Sequence, residues 1–165
     1  MIKGLHHNAY RCRDSEETRK FYEDFLGLPL VHVFEITETK SGRPTHTLHS
    51  FFGMDDGSCL AFFEAPDLPF EWKRQHDFDL HIAVEVSRAD LEQMFEKGKR
   101  AGIETRGISD HGSIDSIYFR DPNGYVIELT AKRPDHDEII KDARAQAHDA
   151  LARWQQEKAA RTGAE

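Results

Sequence analysis

Apolar and polar positions along the chain follow two rhythms, and the rhythms come in the same order twice. Residues 4–12 alternate and predict a strand. Asp14 then stands at a helix N-cap, with Glu17 three residues on as its capping-box partner. Phe21, Phe25 and Leu26, with Tyr22 beside them, make the apolar stripe of that helix, and Gly27 supplies a left-handed stop. Strands are predicted at 29–37, 45–52 and Cys59–Glu64, punctuated by Gly42-Arg43-Pro44 and Asp55-Asp56-Gly57. Residues 65–78, with Pro66, Pro69 and mixed charges, read as a connector.

The order then repeats. A strand at 80–86 leads to Ser87, a second N-cap with Asp90 at the reciprocal position, and to a helix carrying Leu91, Met94, Phe95 and Ala101. Gly102 stops it, and strands follow at 103–107, Ile114–Arg120 and 125–130, the last two joined by the turn Asp121-Pro122-Asn123-Gly124. From His7 to Gly27 is 20 residues, and from His81 to Gly102 is 21. Internal duplication is the economical reading, with two βαβββ modules, 1–66 and 78–132, on either side of connector 67–77. Together they make one α+β domain over 1–132. The extension 133–165 holds a third helix from 134 to about 160, where Ile140, Ala143, Ala147, Ala150 and Trp154 form a narrow apolar seam flanked by Leu151. Residues 161–165 are expected to fray.

Composition narrows the function. The 165 residues carry 30 Asp and Glu against 22 Lys and Arg, a net charge of −8, which disfavours nucleic acid or an anionic membrane as partner. The start lacks the apolar core of a signal peptide and no apolar run spans a bilayer, so a cytoplasmic protein is expected. Cys12 and Cys59 are too few for a disulfide scaffold or a thiolate metal site. Ten histidines in an acidic chain put metal binding and acid–base chemistry first.

Strand alternation places His7, Ala9 and Arg11 on one face of the first strand and His81, Ala83 and Glu85 on the matching face of the second module. Arg11 and Glu85 either pair with each other or hold a charged substrate group. Glu128 is a lone acid in the apolar run Tyr125-Val126-Ile127-Glu128-Leu129, so it should be paired, exposed or ligated. His7, His81 and Glu128 would form the two-histidine, one-carboxylate set that suits non-haem Fe(II) and leaves positions open. His6, beside His7, falls on the opposite face as a structural residue. His32, His46 and His49 are unassigned, and His136 and His148 sit exposed on the tail helix. The Asp121 turn needs no reading beyond hairpin geometry.

These residues resemble the vicinal oxygen chelate superfamily, which includes glyoxalase I, extradiol dioxygenases, an epimerase and fosfomycin and bleomycin resistance proteins. The resemblance rests on His7-Asn8-Ala9-Tyr10-Arg11-Cys12-Arg13-Asp14, Phe21-Tyr22, Leu26-Gly27, His81-Ile82-Ala83-Val84-Glu85-Val86 and the segment 121–129. It implies an open curved barrel built from the two modules around one divalent ion held by His7, His81 and Glu128. Members of the lyase and epimerase kind take a fourth ligand from the last strand of the first half. Aligning Leu60-Ala61-Phe62 with Ile127-Glu128-Leu129 puts Ala61 there, and Glu64 falls on the other face. His111, Tyr118 and Glu128 follow the spacing of the extradiol signature, with Ser109 as a departure from it, and this implies catalytic roles for His111 and Tyr118. The expected activity is ring cleavage of a catechol-like small molecule with Fe(II) and dioxygen, Mn, Zn and Ni being the other candidate ions. A lyase or isomerase with a Lewis-acid metal is the first alternative, and a metal-free sequestering protein the second. Two-module members are often homodimers, and the tail seam offers a further contact between chains.

Overall fold

A computed structural model of the chain describes residues 1–74, 76 and 78–162. The first module runs β1 (Tyr10–Arg11), α1 (Ser15–Arg19) continued by a π-helical turn (Lys20–Phe25), β2 (Leu30–Glu38), β3 (Pro44–Gly53) and β4 (Cys59–Glu64). The second runs β5 (His81–Glu85), α2 (Arg88–Arg100), β6 (Thr105–Asp110), β7 (Ile114–Arg120) and β8 (Val126–Lys132), and α3 (His136–Thr162) follows. The sheets have orders β1-β4-β3-β2 and β5-β8-β7-β6, the same path walked twice, with the outer pair parallel and the rest antiparallel. The α+β class and the repeat are therefore as predicted. Among the described residues no strand of one sheet pairs with the other, so a closed barrel does not form within the chain.

Local chemistry explains the elements and their departures from expectation. The Asp14 carboxylate accepts from the Glu17 N–H at 2.7 Å, as an N-cap should. Glu17 does not reciprocate, because Arg13 takes its carboxylate. Glu64 Oε2 instead accepts from the Ser15 N–H at 2.8 Å, tying β4 to the helix start. The π-helical turn lets Phe21, Tyr22 and Phe25 all reach the interior. The predicted first strand is much shorter than 4–12. Residues before Tyr10 meet the sheet only through a bridge between His7 and Cys59, while the Asn8 side chain intercepts the Ala61 N–H at 2.8 Å in place of a ladder bond. Ser87 caps α2, and Gly98 lets that helix lie against the sheet. A Cβ on Gly98 would sit 2.4 Å from Thr105 Oγ1 and 2.5 Å from a Phe119 ring carbon.

One face of each sheet packs on the helices and on the other module. Phe52, Leu60 and Phe62 from the first half and Ile117, Phe119 and Ile127 from the second belong to one continuous core with Tyr22 and Leu91. Tyr10 stacks on Tyr125 at 4.7 Å and Phe25 meets Phe119 edge-on at 5.2 Å, so the core crosses the module boundary. Burial pushes the Cys12 thiol up to about 11, which keeps it protonated and inert, and both cysteines are free. The turn assigned to hairpin geometry alone is also a buried weld. Asp121 is 2% exposed and its carboxylate accepts from the Tyr22 hydroxyl at 3.0 Å, while Asn123 Oδ1 accepts from the Arg13 N–H at 2.8 Å.

α3 stands apart. Every residue from Asp137 to Arg161 is exposed, His148 among them, whereas His136 is half-buried and bonds Asp137 at 2.8 Å. Of the segment expected to fray, Arg161 and Thr162 are helical and 163–165 lie outside the described residues, as do 75 and 77 of the connector. Among the described residues, no helix is long and apolar enough to cross a membrane.

Candidate metal centre and proton path

The faces turned away from the helices carry the chemistry, and the two modules carry different parts of it. In the second sheet, Ala83 pairs with Glu128 and Tyr118 pairs with Glu128 from the other side, so alternation sets His81, Glu128 and Tyr118 on one face. His81 Nε2 lies 3.1 Å from Glu128 Oε2. The other carboxylate oxygen accepts from the Tyr118 hydroxyl at 3.2 Å and from Thr130 Oγ1 at 3.1 Å, and Thr130 in turn meets Ser116 at 2.8 Å. His111, in the turn after β6, reaches the Tyr118 oxygen with Nε2 at 2.8 Å. Tyr118 has one proton and gives it to Glu128, so His111 donates from Nε2. The Arg106 guanidinium lies 5.2 Å over the Tyr118 ring. His111, Tyr118, Glu128 and His81 therefore form one hydrogen-bonded line from an exposed imidazole to a carboxylate that is only 5% exposed.

This corner fits a cation. A buried carboxylate needs a partner of opposite sign. Two ligand atoms about 2.1 Å from one ion and about 90° apart lie about 3.0 Å from each other, close to the 3.1 Å between His81 and Glu128.

The first sheet presents His7 on the corresponding face, but in different company. His7 Nδ1 lies 2.7 Å from His6 Nδ1, a contact that the opposite-face assignment of His6 excluded. The backbone there is not a continuous strand, so alternation does not apply. Around His7 the face is aromatic: Phe51 at 5.3 Å, then His49, stacked on Phe63 at 3.7 Å, and Phe34 at 5.3 Å from His49. His32 joins at 5.7 Å from Phe51. His49 is buried with Nδ1 2.9 Å from the Phe62 carbonyl oxygen, and burial holds its pKa below the usual histidine value. This patch was not read from the sequence, although its signal is there as His-x-Phe in His32-Val33-Phe34 and again in His49-Ser50-Phe51.

Among the described residues of one chain, no three His, Cys, Asp or Glu side chains lie close enough to hold an ion together. The structure thus unites His81, Glu128, Tyr118 and His111 and leaves His7 on the other sheet. His7 pairs with Cys59 and Tyr10 with Phe62, which sets Ala61 opposite Ala9 as Glu128 is opposite Ala83. Ala61 therefore occupies the place equivalent to Glu128, and Glu64 is spent on the α1 N-terminus. Arg11 and Glu85 do not pair with each other: Arg11 donates to the Ala65 carbonyl oxygen at 3.3 Å, and Glu85 pairs with Lys132 at 2.9 Å.

A sequence model of the Glyoxalase/Bleomycin resistance protein/Dioxygenase superfamily matches residues 4–129. The chain is 29% identical over 143 residues to the lactoylglutathione lyase of Neisseria meningitidis, covering 82% of this chain and 95% of that one. It is 32% identical over 132 residues to the metallothiol transferase FosB of Bacillus licheniformis, with coverages of 78% and 75%. The putative ring-cleaving dioxygenase MhqA of Bacillus subtilis is 28% identical over 134 residues, 79% of this chain and 40% of that longer one. In structure, the chain superposes on the fosfomycin resistance protein FosX of Listeria monocytogenes, solved with Mn(II) and sulfate, at a TM-score of 0.61 and 21% identity, covering 83% and 98%.

Proposed function

The chain belongs to the Glyoxalase/Bleomycin resistance protein/Dioxygenase superfamily, and on that premise we propose that it is a metal-dependent enzyme that opens a catechol-like ring with dioxygen. The observation that carries this reading is the line His111–Tyr118–Glu128, with contacts of 2.8 and 3.2 Å, together with Ala61 on the first sheet at the place equivalent to Glu128, where a fourth ligand would stand. His81 and Glu128 supply two ligands of a divalent ion, Fe(II) by preference, and His7 of a second copy supplies the third. When bound, that ion supplies Lewis acidity toward a diol and, as Fe(II), the electrons that let dioxygen react. In the tautomer with Nε2 free, the reverse of its donation in the substrate-free arrangement, His111 accepts the proton of a substrate hydroxyl through the Tyr118 oxygen and passes it to solvent, since its ring is exposed. Thr130 and Tyr118 hold one carboxylate oxygen of Glu128, which leaves the other for the ion. Ring opening places both oxygen atoms in the product and uses no external reductant.

Oxygen uptake on a catechol panel, after anaerobic loading with Fe(II), tests the reaction. His111→Ala should keep its metal and lose about 10²-fold or more in turnover. His81→Ala should lose the metal, and stoichiometric metal in that variant would refute the site. Mixing His7→Ala with His81→Ala chains should restore about a quarter of wild-type activity, because half of the dimers are mixed and each carries one whole site. No restoration would place His7 in its own chain's site. Equal turnover under nitrogen would favour a lyase or isomerase, the reading supported by the likeness that spans 95% of a lactoylglutathione lyase.

A further inference from the structure

α3 is a 27-residue helix whose residues from Asp137 to Arg161 pack on nothing among the described residues, whereas most helical stability in proteins comes from packing of one face. Its exposed face is not uniform. At helical spacing, Ile139, Ile140, Leu151 and Trp154 gather with Ala143, Ala147 and Ala150 in one stripe. Trp154 and Leu151 are each 58% exposed. Arg144 borders the stripe on one side and Arg153 on the other, where Glu157 stands one turn on at the stripe's edge, while Asp142 and Asp149 fall on the far side. Neither arginine makes an ion pair among the described residues. The stripe is therefore an apolar strip with an arginine on each margin.

The globular body carries the complement. Where the modules meet, a groove of about 620 Å³ has an apolar floor that includes Leu28, Met54, Val86 and Met94. Its rim bears Asp55, Asp56 and Asp90, none of which has a cationic partner among the described residues. Hydrogen bonds from the Ser58 N–H and hydroxyl hold the Asp56 carboxyl below the usual carboxylate range, so it stays charged. We propose that the helix of one copy docks its stripe in this acid-rimmed groove of a second copy, with Trp154 and Leu151 on the apolar floor and Arg144 and Arg153 on the aspartates.

The occupant is a second copy and not the same chain because of how α3 is rooted. The Arg133 N–H donates to the Ser113 carbonyl oxygen at 3.0 Å and its guanidinium pairs with Asp110 at 2.6 Å, which fixes the helix start on the β6–β7 end of the second module. Ile139, Ile140, Leu151 and Trp154 are all exposed in their own chain, so its own groove does not hold the stripe. A lipid surface is disfavoured, since three of the seven stripe residues are alanines and the outer face carries the acids Glu138, Asp142 and Asp149. The docking is independent of the catalytic reading, as no proposed metal or proton-path residue lines the groove.

With Trp72→Phe, Trp154 is the sole tryptophan and reports its own surroundings. Its emission should be blue-shifted at micromolar chain and move to the water value on dilution, in step with dimer dissociation by sedimentation. The double change Asp55→Lys, Asp56→Lys should weaken this association about tenfold, the size of two exposed ion pairs lost and made repulsive, and Arg153→Glu should recover part of it. Leu151→Glu, at an exposed site, should abolish the blue shift with helicity unchanged. A Trp154 emission that is water-like at every concentration overturns the proposal. So does a blue shift indifferent to the aspartate reversal, or one that needs anionic vesicles.

Discussion

Asp121→Ala tests whether the two modules are joined by a polar weld and not by apolar packing alone. The Asp121 carboxylate accepts from the Tyr22 hydroxyl at 3.0 Å, Asn123 Nδ2 at 3.0 Å, the Asn123 N–H at 2.9 Å and the Tyr125 N–H at 2.7 Å. All of these donors are buried, with Tyr22 at 0% and Asn123 at 1% exposure. Alanine leaves them without an acceptor, and each orphaned buried donor costs about 1–3 kcal/mol. With the turn relaxing around part of the gap, the loss should be about 3–5 kcal/mol, a large fraction of the roughly 5–15 kcal/mol that holds a domain folded. In urea, a slope of about 2 kcal/mol per molar converts this to a midpoint lowered by about 1.5–2.5 M. Circular dichroism, with the slope fixed or fitted for both proteins, reads the shift. A loss below about 1 kcal/mol would refute the weld, because a single exposed turn residue costs that little.

Burial, the largest influence on Asp121, raises its carboxyl above the ordinary 3.8. A raised folded value means that its contribution is fully present below about pH 4 and is lost as pH rises through the folded value. The stability deficit of Asp121→Asn against wild type should therefore be largest near pH 3.5 and shrink toward neutrality; a deficit that grows with pH would refute the sign. Gly98→Ala should cost about 1–3 kcal/mol by thermal melting, despite alanine's better helix propensity, because Thr105 Oγ1 and Phe119 occupy the methyl's place; a stabilised variant would show that α2 can lift off the sheet.

The repeat was legible because two periods, near 3.6 and 2, switch in the same order twice, and because capping and stop residues are local signals. The matching of Ala61 with Glu128 was legible for the same reason, since register carries side-chain direction with it. The first strand was overextended because alternation says which way a side chain points only where a ladder forms. Asn8 spends its own amide oxygen on the Ala61 N–H, and the chain before it is free to bring His6 and His7 together. The weld was invisible for another reason. The turn Asp121-Pro122-Asn123-Gly124 satisfies hairpin preferences by itself, and nothing nearby announces that Tyr22, 99 residues away in sequence, covers it.

The proposed third ligand follows from what each sheet presents. The face around His7 is imidazole and aromatic carbon, with Phe34 39% exposed, whereas the face around Glu128 is carboxylate, hydroxyl and imidazole. Neither is a complete site: the first has no carboxylate to balance a divalent charge, and the second has no apolar wall for a ring. Within one chain the modules pack through their opposite faces, which carry the shared core, so the same burial that joins them keeps the two chemical faces apart. Facing them requires the His7 sheet of one copy against the Glu128 sheet of another. Two-fold symmetry does this twice in one contact. Loss of metal on dilution to monomer, with the fold intact, is the behaviour expected of such a site; metal retained by a monomer at full stoichiometry would refute the shared arrangement.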